Sequence, residues 1–140
     1  VWIRPSVDFD SRPGREDMAS HIYGSFELFY ERGEVIVSIW GPGHSPQLFR
    51  HPVALKRDAW HHVAFATEVG VPFRLYVDGK KVVFDKLRAP IEDQTRDLHV
   101  GWCAGARFFF GAIDELMVWK RNLSDSELDV LSQAKSQTRP

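Results

Sequence analysis

The stretch WHHVAFATEVGVPFRLYVDGKKVVF, residues 60–84, decides the fold of this chain. Apolar and polar residues alternate along three short runs, and a period of two is typical of half-buried β-strands. Asp78-Gly79 separates the second run from the third, and an Asp-Gly pair favours a hairpin because glycine accepts the positive φ of such turns. We therefore predict strands near 60–67, 72–78 and 81–85, the last two joined as an antiparallel hairpin.

The same alternation extends over most of the chain and is interrupted by turn residues. Arg32-Gly33 separates two further runs by a hairpin-length loop, so a second hairpin is expected there. Together the runs predict about ten short antiparallel strands. The strands outside the first stretch are predicted near 1–5, 19–23, 25–31, 34–40, 47–51, 97–102 and 108–119.

One helix is predicted, near residues 125–135. Ser124 is followed three residues later by Glu127, which is the spacing of a capping box, and Leu123 and Leu128 occupy the positions of a hydrophobic staple. Many short strands with one late helix favour two antiparallel sheets packed face to face. The predicted fold is all-β, a two-sheet antiparallel β-sandwich of jelly-roll type with one short C-terminal helix. Its domain covers residues 1–135, and residues 136–140 form a tail or linker.

Composition and charge narrow the classes of function. The 140 residues suffice for one domain, and 44% of them are hydrophobic, so a packed core is expected. Lys and Arg (18) nearly balance Asp and Glu (19), and the net charge of −1 offers no field for binding nucleic acid. The longest apolar stretches fall short of the roughly 20 residues that span a bilayer, so no membrane insertion is predicted.

Cysteine and histidine spacing gives little sign of catalysis or zinc binding. The single cysteine, Cys103, cannot form an internal disulfide and leaves the redox compartment open. His61 and His62 are adjacent on a predicted strand and must face opposite ways, so they cannot hold one metal ion together. We predict a structural role for this pair, with one ring near the core and the other at the surface.

Two neighbouring acids, Asp114 and Glu115, interrupt the apolar run at 108–119. Neighbours on a regular strand face opposite sides of the sheet, so these carboxylates do not form a catalytic pair. A β-bulge at this point would bring Ile113 and Leu116 onto one face. Two interpretations of Asp114 stay open. Its carboxylate accepts hydrogen bonds from a neighbouring loop, or it binds a hard cation such as calcium at the rim of the sheet.

Two glycine-containing loops combine an aromatic residue with a polar or cationic one. WGPGH runs from Trp40 to His44, and WCAGAR runs from Trp102 to Arg107. A sugar-binding surface needs an aromatic face for the apolar side of a pyranose and a few polar groups for its hydroxyls. Trp40, His44, Trp102 and Arg107 are therefore the predicted ligand-binding residues, and the alternative is that these are packed turns without a ligand.

Four segments resemble a known family when they are taken together. They are WHHVAFA (60–66), FRLYVDG (73–79), FGAIDELMVW (110–119) and LSDSELDVL (123–131). Their order and spacing resemble the laminin G-like, concanavalin A-like jelly-roll domains, and the last two segments also resemble the C-terminal part of a pentraxin. The resemblance implies a two-sheet antiparallel sandwich, in agreement with the pattern of the strands.

The resemblance also implies a class of function. Members of this family are mostly non-catalytic modules of secreted, periplasmic or surface-attached proteins, and they bind glycans, matrix components or other proteins, some through a rim calcium. We therefore expect a non-catalytic recognition module of a larger secreted or surface protein, with carbohydrate as the favoured ligand. The expected partner is a glycan or an extracellular protein. A protein-interaction or spacer domain is the alternative. A glycoside hydrolase is disfavoured because no E-x-D-x-E array of carboxylates occurs.

Overall fold

The computed structural model describes residues 1–8, 14–21, 25–43, 45–91, 97–103 and 107–133. Within these ranges the chain forms twelve strands and one helix. The strands are β1 Trp2–Pro5, β2 Glu16–Ser20, β3 Phe26–Glu31, β4 Glu34–Gly41, β5 Ser45–Pro52, β6 His61–Ala66, β7 Pro72–Val77, β8 Lys80–Lys86, β9 His99–Val100, β10 Trp102–Cys103, β11 Arg107–Phe108 and β12 Gly111–Asp114. The helix is α1, Asp125–Gln133.

Ten of these strands form two five-stranded sheets. The first sheet has the order β12-β1-β6-β7-β8, the second has the order β5-β4-β3-β2-β9, and β10 and β11 form a separate two-stranded hairpin. Apolar side chains from both sheets share one buried core. The predicted two-sheet antiparallel sandwich with a late helix is therefore confirmed.

Aromatic rings from the two sheets meet at the centre of this core. Phe73 on β7 is fully buried and stacks on Phe49 of β5, with 3.7 Å between the ring centroids. Phe65 on β6 lies 5.7 Å from Phe73 on the same side of the core. Because rings from opposite sheets are in contact, this cluster sets how closely the sheets pack.

Two hairpin turns take the conformation that their sequences predict. Asp78 and Gly79 have φ values of 50° and 75°, and Arg32 and Gly33 have φ values of 51° and 81°. Two successive residues with positive φ match the type I′ turn, whose twist agrees with that of the flanking strands. Both predicted hairpins are present, as β7-β8 and β3-β4.

The Asp78 side chain ties its turn to β6. Its Oδ1 accepts a hydrogen bond from the backbone N–H of His62 at 2.8 Å, and its Oδ2 lies 2.7 Å from Nδ1 of His61. The hydrogen bond with Asp78 raises the pKa of His61. His62 packs against the Trp2 ring at 5.1 Å, and burial lowers the pKa of His62 to about 4. Both histidines are buried, so the expectation that one of them lies at the surface is wrong.

Acid should destabilise the protein through His62. The pKa of about 4 in the folded state lies below the ordinary value of 6.5, so the unfolded chain takes up this proton first. The contribution of neutral His62 to the free energy of unfolding is therefore fully present above pH 6.5 and is lost as the pH falls toward 4. Between pH 7 and pH 5 we expect the free energy of unfolding to fall by about 2 kcal/mol from this group.

Urea unfolding of the wild type and of His62→Phe at both pH values checks this prediction. The phenylalanine keeps a ring against Trp2 but cannot be protonated, so the variant should lose less stability in acid than the wild type. The raised pKa of His61 acts in the opposite direction and is common to both proteins. Equal losses in the two proteins would contradict the role of His62.

Helix α1 packs on the outer face of the first sheet. The predicted capping box is present, since the Ser124 N–H donates to Glu127 Oε2 at 2.8 Å and the Glu127 N–H donates to Ser124 Oγ at 3.3 Å. Leu128 is buried together with Tyr76 of β7. The Tyr76 hydroxyl also donates to Asp125 Oδ1 at 2.6 Å, which fixes the start of the helix to the sheet. The end predicted at residue 135 lies outside the described residues.

The predicted strand at 108–119 is wrong in its second half. We expected a continuous strand with a bulge at Asp114-Glu115, but β12 ends at Asp114 and Glu115 takes a left-handed φ of 47°. The pairing of β12 with β1 runs from Gly111 to Asp114. Among the described residues no strand pairs with 115–119.

Two further boundaries differ from the prediction. The strand expected at 97–102 is divided at Gly101, whose φ of 74° ends β9 before β10 begins. The strand expected at 19–23 begins earlier, at Glu16. Its acidic start resembles a loop in sequence, although Glu16 and Asp17 are both buried.

Candidate functional site

The predicted residues Trp102 and Arg107 both lie on the β10-β11 hairpin. Trp102 pairs with Phe108, and Cys103 pairs with Arg107. Alternate residues of a strand face opposite sides, so each strand sends one side chain outward and one toward β2. Trp102 and Phe108 are 37% and 49% exposed, whereas Cys103 is fully buried. The hairpin therefore has a solvent face made of aromatic rings and an inner face made of polar groups.

A further ring lies beside the exposed aromatic rings of the hairpin, and several residues close to them in the sequence are exposed and apolar. The His99 ring meets the Trp102 indole edge to face, with 4.3 Å between the ring centroids and an interplanar angle of 77°. Leu98, Val100 and Phe110, which neighbour these residues in the chain, are also exposed. We call this set the hairpin surface, and its members are Leu98, His99, Val100, Trp102, Phe108 and Phe110.

A charged network lies beneath the hairpin, on the outer face of the second sheet. Asp17 of β2 and Glu27 of β3 are buried, and Arg15 contacts both, with Nε 3.0 Å from Asp17 Oδ1 and Nη2 3.1 Å from Glu27 Oε2. Arg107 reaches the same acids from the hairpin, at 3.5 Å from Asp17 Oδ2 and 3.9 Å from Glu27 Oε1. The Arg15 guanidinium also lies 3.5 Å from the centroid of the Phe29 ring.

Arg107 is held in place by this network while part of it stays exposed. Its side chain is 31% exposed, and its Nη2 donates to Cys103 Sγ at 2.6 Å. The Ser20 hydroxyl donates to the same sulfur at 3.2 Å. Burial raises the pKa of the Cys103 thiol, so the thiol stays protonated at neutral pH and is a poor nucleophile. The network therefore anchors the hairpin to the second sheet, because Arg107 of the hairpin contacts Asp17 of β2 and Glu27 of β3.

Asp17 and Glu27 are the acids that sequence reasoning missed. They lie on neighbouring strands, as a glycosidase pair would, but both carboxylates are buried and engaged by arginine. A general acid or base must reach the proton that it transfers, and these groups are covered by the hairpin and by Arg15. The arrangement of these two acids therefore favours anchoring over hydrolysis.

The other predicted ligand-binding residues lie elsewhere. Trp40 is half-buried near the end of β4, and β3 lies between β4 and β2, so Trp40 is not part of the hairpin surface. His44 lies outside the described residues. The structure thus places Trp102 and Arg107 from the predicted set on one hairpin but on its opposite faces, and it adds Phe108 and His99 beside Trp102.

Asp114 lies at the end of β12, and its side chain is exposed. Its Oδ1 accepts a hydrogen bond from the backbone N–H of the next residue, Glu115, at 2.7 Å. No group of three or more His, Cys, Asp or Glu side chains suited to a metal occurs in the described part of the chain. The described side chains therefore do not supply the six to eight oxygen ligands that calcium takes. Calcium binding at Asp114 stays a prediction.

Comparison with known proteins identifies the class. The sequence model of the concanavalin A-like lectin/glucanases superfamily, in its laminin G form, matches residues 1–129. The chain belongs to this family, and the expected resemblance is confirmed. A comparison with curated protein sequences finds no match.

Solved structures show the same fold. The botulinum neurotoxin serotype D binding domain superposes with a TM-score of 0.70 at 13% identity, over 97% of this chain and 35% of that one. The serotype D ligand binding domain in complex with N-acetylneuraminic acid gives a TM-score of 0.69 at 13% identity, over 97% and 35%. The receptor binding domain of botulinum neurotoxin type G gives 0.67 at 12% identity, over 96% and 36%. The chain spans about a third of the length of these structures, and the likeness shows the fold.

Within the described ranges no helix has the length and apolar character needed to cross a membrane.

Proposed function

We propose that this domain is a non-catalytic recognition module that binds carbohydrate through the hairpin surface. The observation that carries the proposal is the exposed Trp102 indole, which has the His99 ring 4.3 Å away and Phe108 as its cross-strand neighbour. An indole face suits the apolar face of a pyranose, and the His99 imidazole can hydrogen-bond its hydroxyls. The concanavalin A-like lectin/glucanase fold supports a binding module of this kind.

The cellular location of the domain and its place in a larger protein are part of the same proposal. The chain acts outside the cell, in the periplasm or at the cell surface, as one module of a larger protein, and its partner is a glycan or an extracellular protein. The family match and the glycan-bound structural neighbour support this setting. A protein ligand is the second candidate, and the exposed apolar residues Leu98, Val100 and Phe110, which neighbour the hairpin residues in the chain, favour it.

The Trp102→Ala variant tests the proposed function. A glycan array at high protein density first selects a ligand, and titration then compares affinities. We expect Trp102→Ala to weaken binding about tenfold or more, which corresponds to about 1.4 kcal/mol, because an aromatic at the centre of an interface carries much of its energy. The melting temperature should change little, since the indole is exposed.

Trp119→Ala is the matched control. Trp119 is 41% exposed, much as Trp102 is, but lies in the segment after β12, away from the hairpin. This variant should bind glycan like the wild type. Equal losses of affinity in the two variants would contradict carbohydrate binding at the hairpin surface. The same holds if the wild type binds none of the diverse glycans on the array.

Calcium binding at Asp114 is tested separately. If the exposed carboxylate binds calcium, millimolar calcium should raise the melting temperature of the wild type, because a ligand that binds only the folded state stabilises it. Asp114→Ala should abolish that response. An identical melting transition with calcium and with a chelator would leave the hydrogen bond to the Glu115 amide as the role of Asp114.

A further inference from the structure

The β10-β11 hairpin presents two flat rings side by side. Trp102 and Phe108 form a cross-strand pair, and both are exposed. Side chains of such a pair lie on the same side of the strands, with their Cβ atoms about 5 Å apart. The Phe108 ring has no polar atom, and the Trp102 indole has a single N–H at its edge. The two rings therefore form one patch that offers carbon atoms to a ligand.

The backbone next to these rings is fixed by hydrogen bonds. The Gly101 N–H donates to the Met18 C=O of β2 at 2.9 Å, and the Phe109 N–H donates to the Gly101 C=O at 2.9 Å. The Phe110 N–H donates to Oε2 of the buried Glu16 at 3.1 Å. A ligand thus meets a patch that is already ordered, so little of its binding energy is spent on ordering the hairpin.

The flat patch discriminates between sugars by the direction of their hydroxyls. A pyranose whose hydroxyls are all equatorial presents C–H groups on both faces and directs its hydroxyls sideways. An axial hydroxyl on the stacked face would exchange water for the carbon atoms of Trp102 and Phe108. A polar group that loses its water without gaining a hydrogen bond weakens binding. A sugar with equatorial hydroxyls is therefore the one that can stack without this loss.

His99 supplies a polar group at the side of the patch. Its ring centroid lies 4.3 Å from that of Trp102, with an interplanar angle of 77°. The backbone of β9 holds it there, since His99 pairs with Ser20 of β2. An imidazole ring can donate and accept hydrogen bonds, so His99 suits a hydroxyl that is directed sideways from a stacked sugar.

The charges beneath the hairpin are matched within the protein. Arg107 lies 3.5 Å from Asp17 Oδ2 and 3.9 Å from Glu27 Oε1. Arg15 contacts the same two acids, so the two arginines and the two acids sum to zero charge. An acidic sugar on the hairpin would lose hydration at its carboxylate without gaining an ion pair from Arg107, and such a loss is costly for a charged group.

We propose that the hairpin surface selects neutral pyranose chains whose ring hydroxyls are all equatorial, and that such a chain lies flat on Trp102 and Phe108. The hydroxyls of the chain stay in water or meet His99. This inference rests on the proposed function and narrows its ligand to one class. N-acetylneuraminic acid, the sugar in complex with one structural neighbour, carries a carboxylate and falls outside that class.

Three hexasaccharides with the same β-1,4 linkage test this selection by titration calorimetry. Cellohexaose is neutral and has only equatorial ring hydroxyls. Mannohexaose differs from it in an axial hydroxyl at C2, and cellohexaose oxidised at C6 differs in its carboxylates. We expect cellohexaose to bind about tenfold more tightly than either of the others, which corresponds to about 1.4 kcal/mol. Its affinity should be the same at low and at physiological salt, because no ion pair forms.

Phe108→Leu tests whether a flat ring is required. Leucine keeps an apolar side chain, so a ligand held by apolar contact alone would bind this variant like the wild type. We expect Phe108→Leu to bind cellohexaose about threefold more weakly, and Phe108→Tyr, which restores a flat ring, to recover the loss. Both variants should melt like the wild type, since Phe108 is exposed. Trp119→Ala is the control and should bind cellohexaose like the wild type.

The outcomes separate this inference from the proposed function. The selection is overturned if mannohexaose or the oxidised chain binds as tightly as cellohexaose, or if Phe108→Leu has wild-type affinity. In those cases a loss of binding in Trp102→Ala would still leave the hairpin surface as a glycan site. The selection also fails if none of the three chains binds while another glycan binds in a Trp102-dependent manner. If no glycan binds at all, both the selection and the proposed function fail.

Discussion

Phe73→Ala should lower the free energy of unfolding by about 3–5 kcal/mol, because truncation of a buried phenylalanine loses its transfer energy and leaves a cavity. Phe73 is fully buried and stacks on Phe49 of the opposite sheet at 3.7 Å, with Phe65 at 5.7 Å. The stacked pair lies between the two sheets. Because each sheet is held by its own backbone hydrogen bonds, the sheets cannot move together to fill the cavity that the substitution leaves. Chemical unfolding monitored by circular dichroism measures the loss.

Val83→Ala is the control for this prediction. Val83 lies on the neighbouring strand β8 and is 55% exposed, so its truncation should change stability by no more than about 0.5 kcal/mol. A loss of less than about 1.5 kcal/mol in Phe73→Ala, which is typical of tolerated core exchanges, would contradict the central position of this ring.

Gly111→Ala should cost about 3 kcal/mol for a different reason, namely overpacking against backbone. An added Cβ at Gly111 would lie 2.2 Å from the carbonyl oxygen of Arg4 and 2.9 Å from Cε1 of Phe109. Gly111 pairs with Pro5 in the β1-β12 ladder, so the clash must move one strand away from the other. The same unfolding measurement, with hydrogen exchange of β1 amides, should show a weakened ladder.

Gly14→Ala provides the matched comparison. A Cβ added at Gly14 would meet no atom within 4 Å, so this exchange should be neutral or slightly stabilising. If Gly111→Ala unfolds at the same denaturant concentration as Gly14→Ala, the close approach of β1 and β12 at this point is wrong.

The elements that sequence predicts well are those that neighbouring residues determine. Asp78-Gly79 and the capping box at Ser124 act within four residues, and both form as expected. The segment 115–119 was misread because its apolar pattern suits a strand, while strand formation depends on a partner elsewhere in the chain. A left-handed residue at Glu115 carries no clear signal, since glycine is the usual choice for positive φ.

The same distinction explains what could be predicted of the site. Trp102 and Arg107 are five residues apart in the sequence, so the sequence alone places them on the same loop or hairpin. Asp17 and Glu27 were missed because their role depends on Arg107 of the hairpin, which lies 90 residues after Asp17 and 80 residues after Glu27 in the chain. In the sequence, acids near the start of a strand are interpreted as exposed to solvent. Only the three-dimensional structure shows the two arginines, Arg15 and Arg107, that neutralise Asp17 and Glu27.

In the β10-β11 hairpin, one pair of residues faces solvent and the next pair holds the hairpin in place. Trp102 and Phe108 form one cross-strand pair and face outward, whereas Cys103 and Arg107 form the next pair and are tied to the second sheet. If the hairpin surface binds a ligand as proposed, substitutions at the outer pair would change which ligand is recognised while the anchoring pair keeps the hairpin in position. A combinatorial library at residues 102 and 108 would then sample new specificities on an unchanged scaffold.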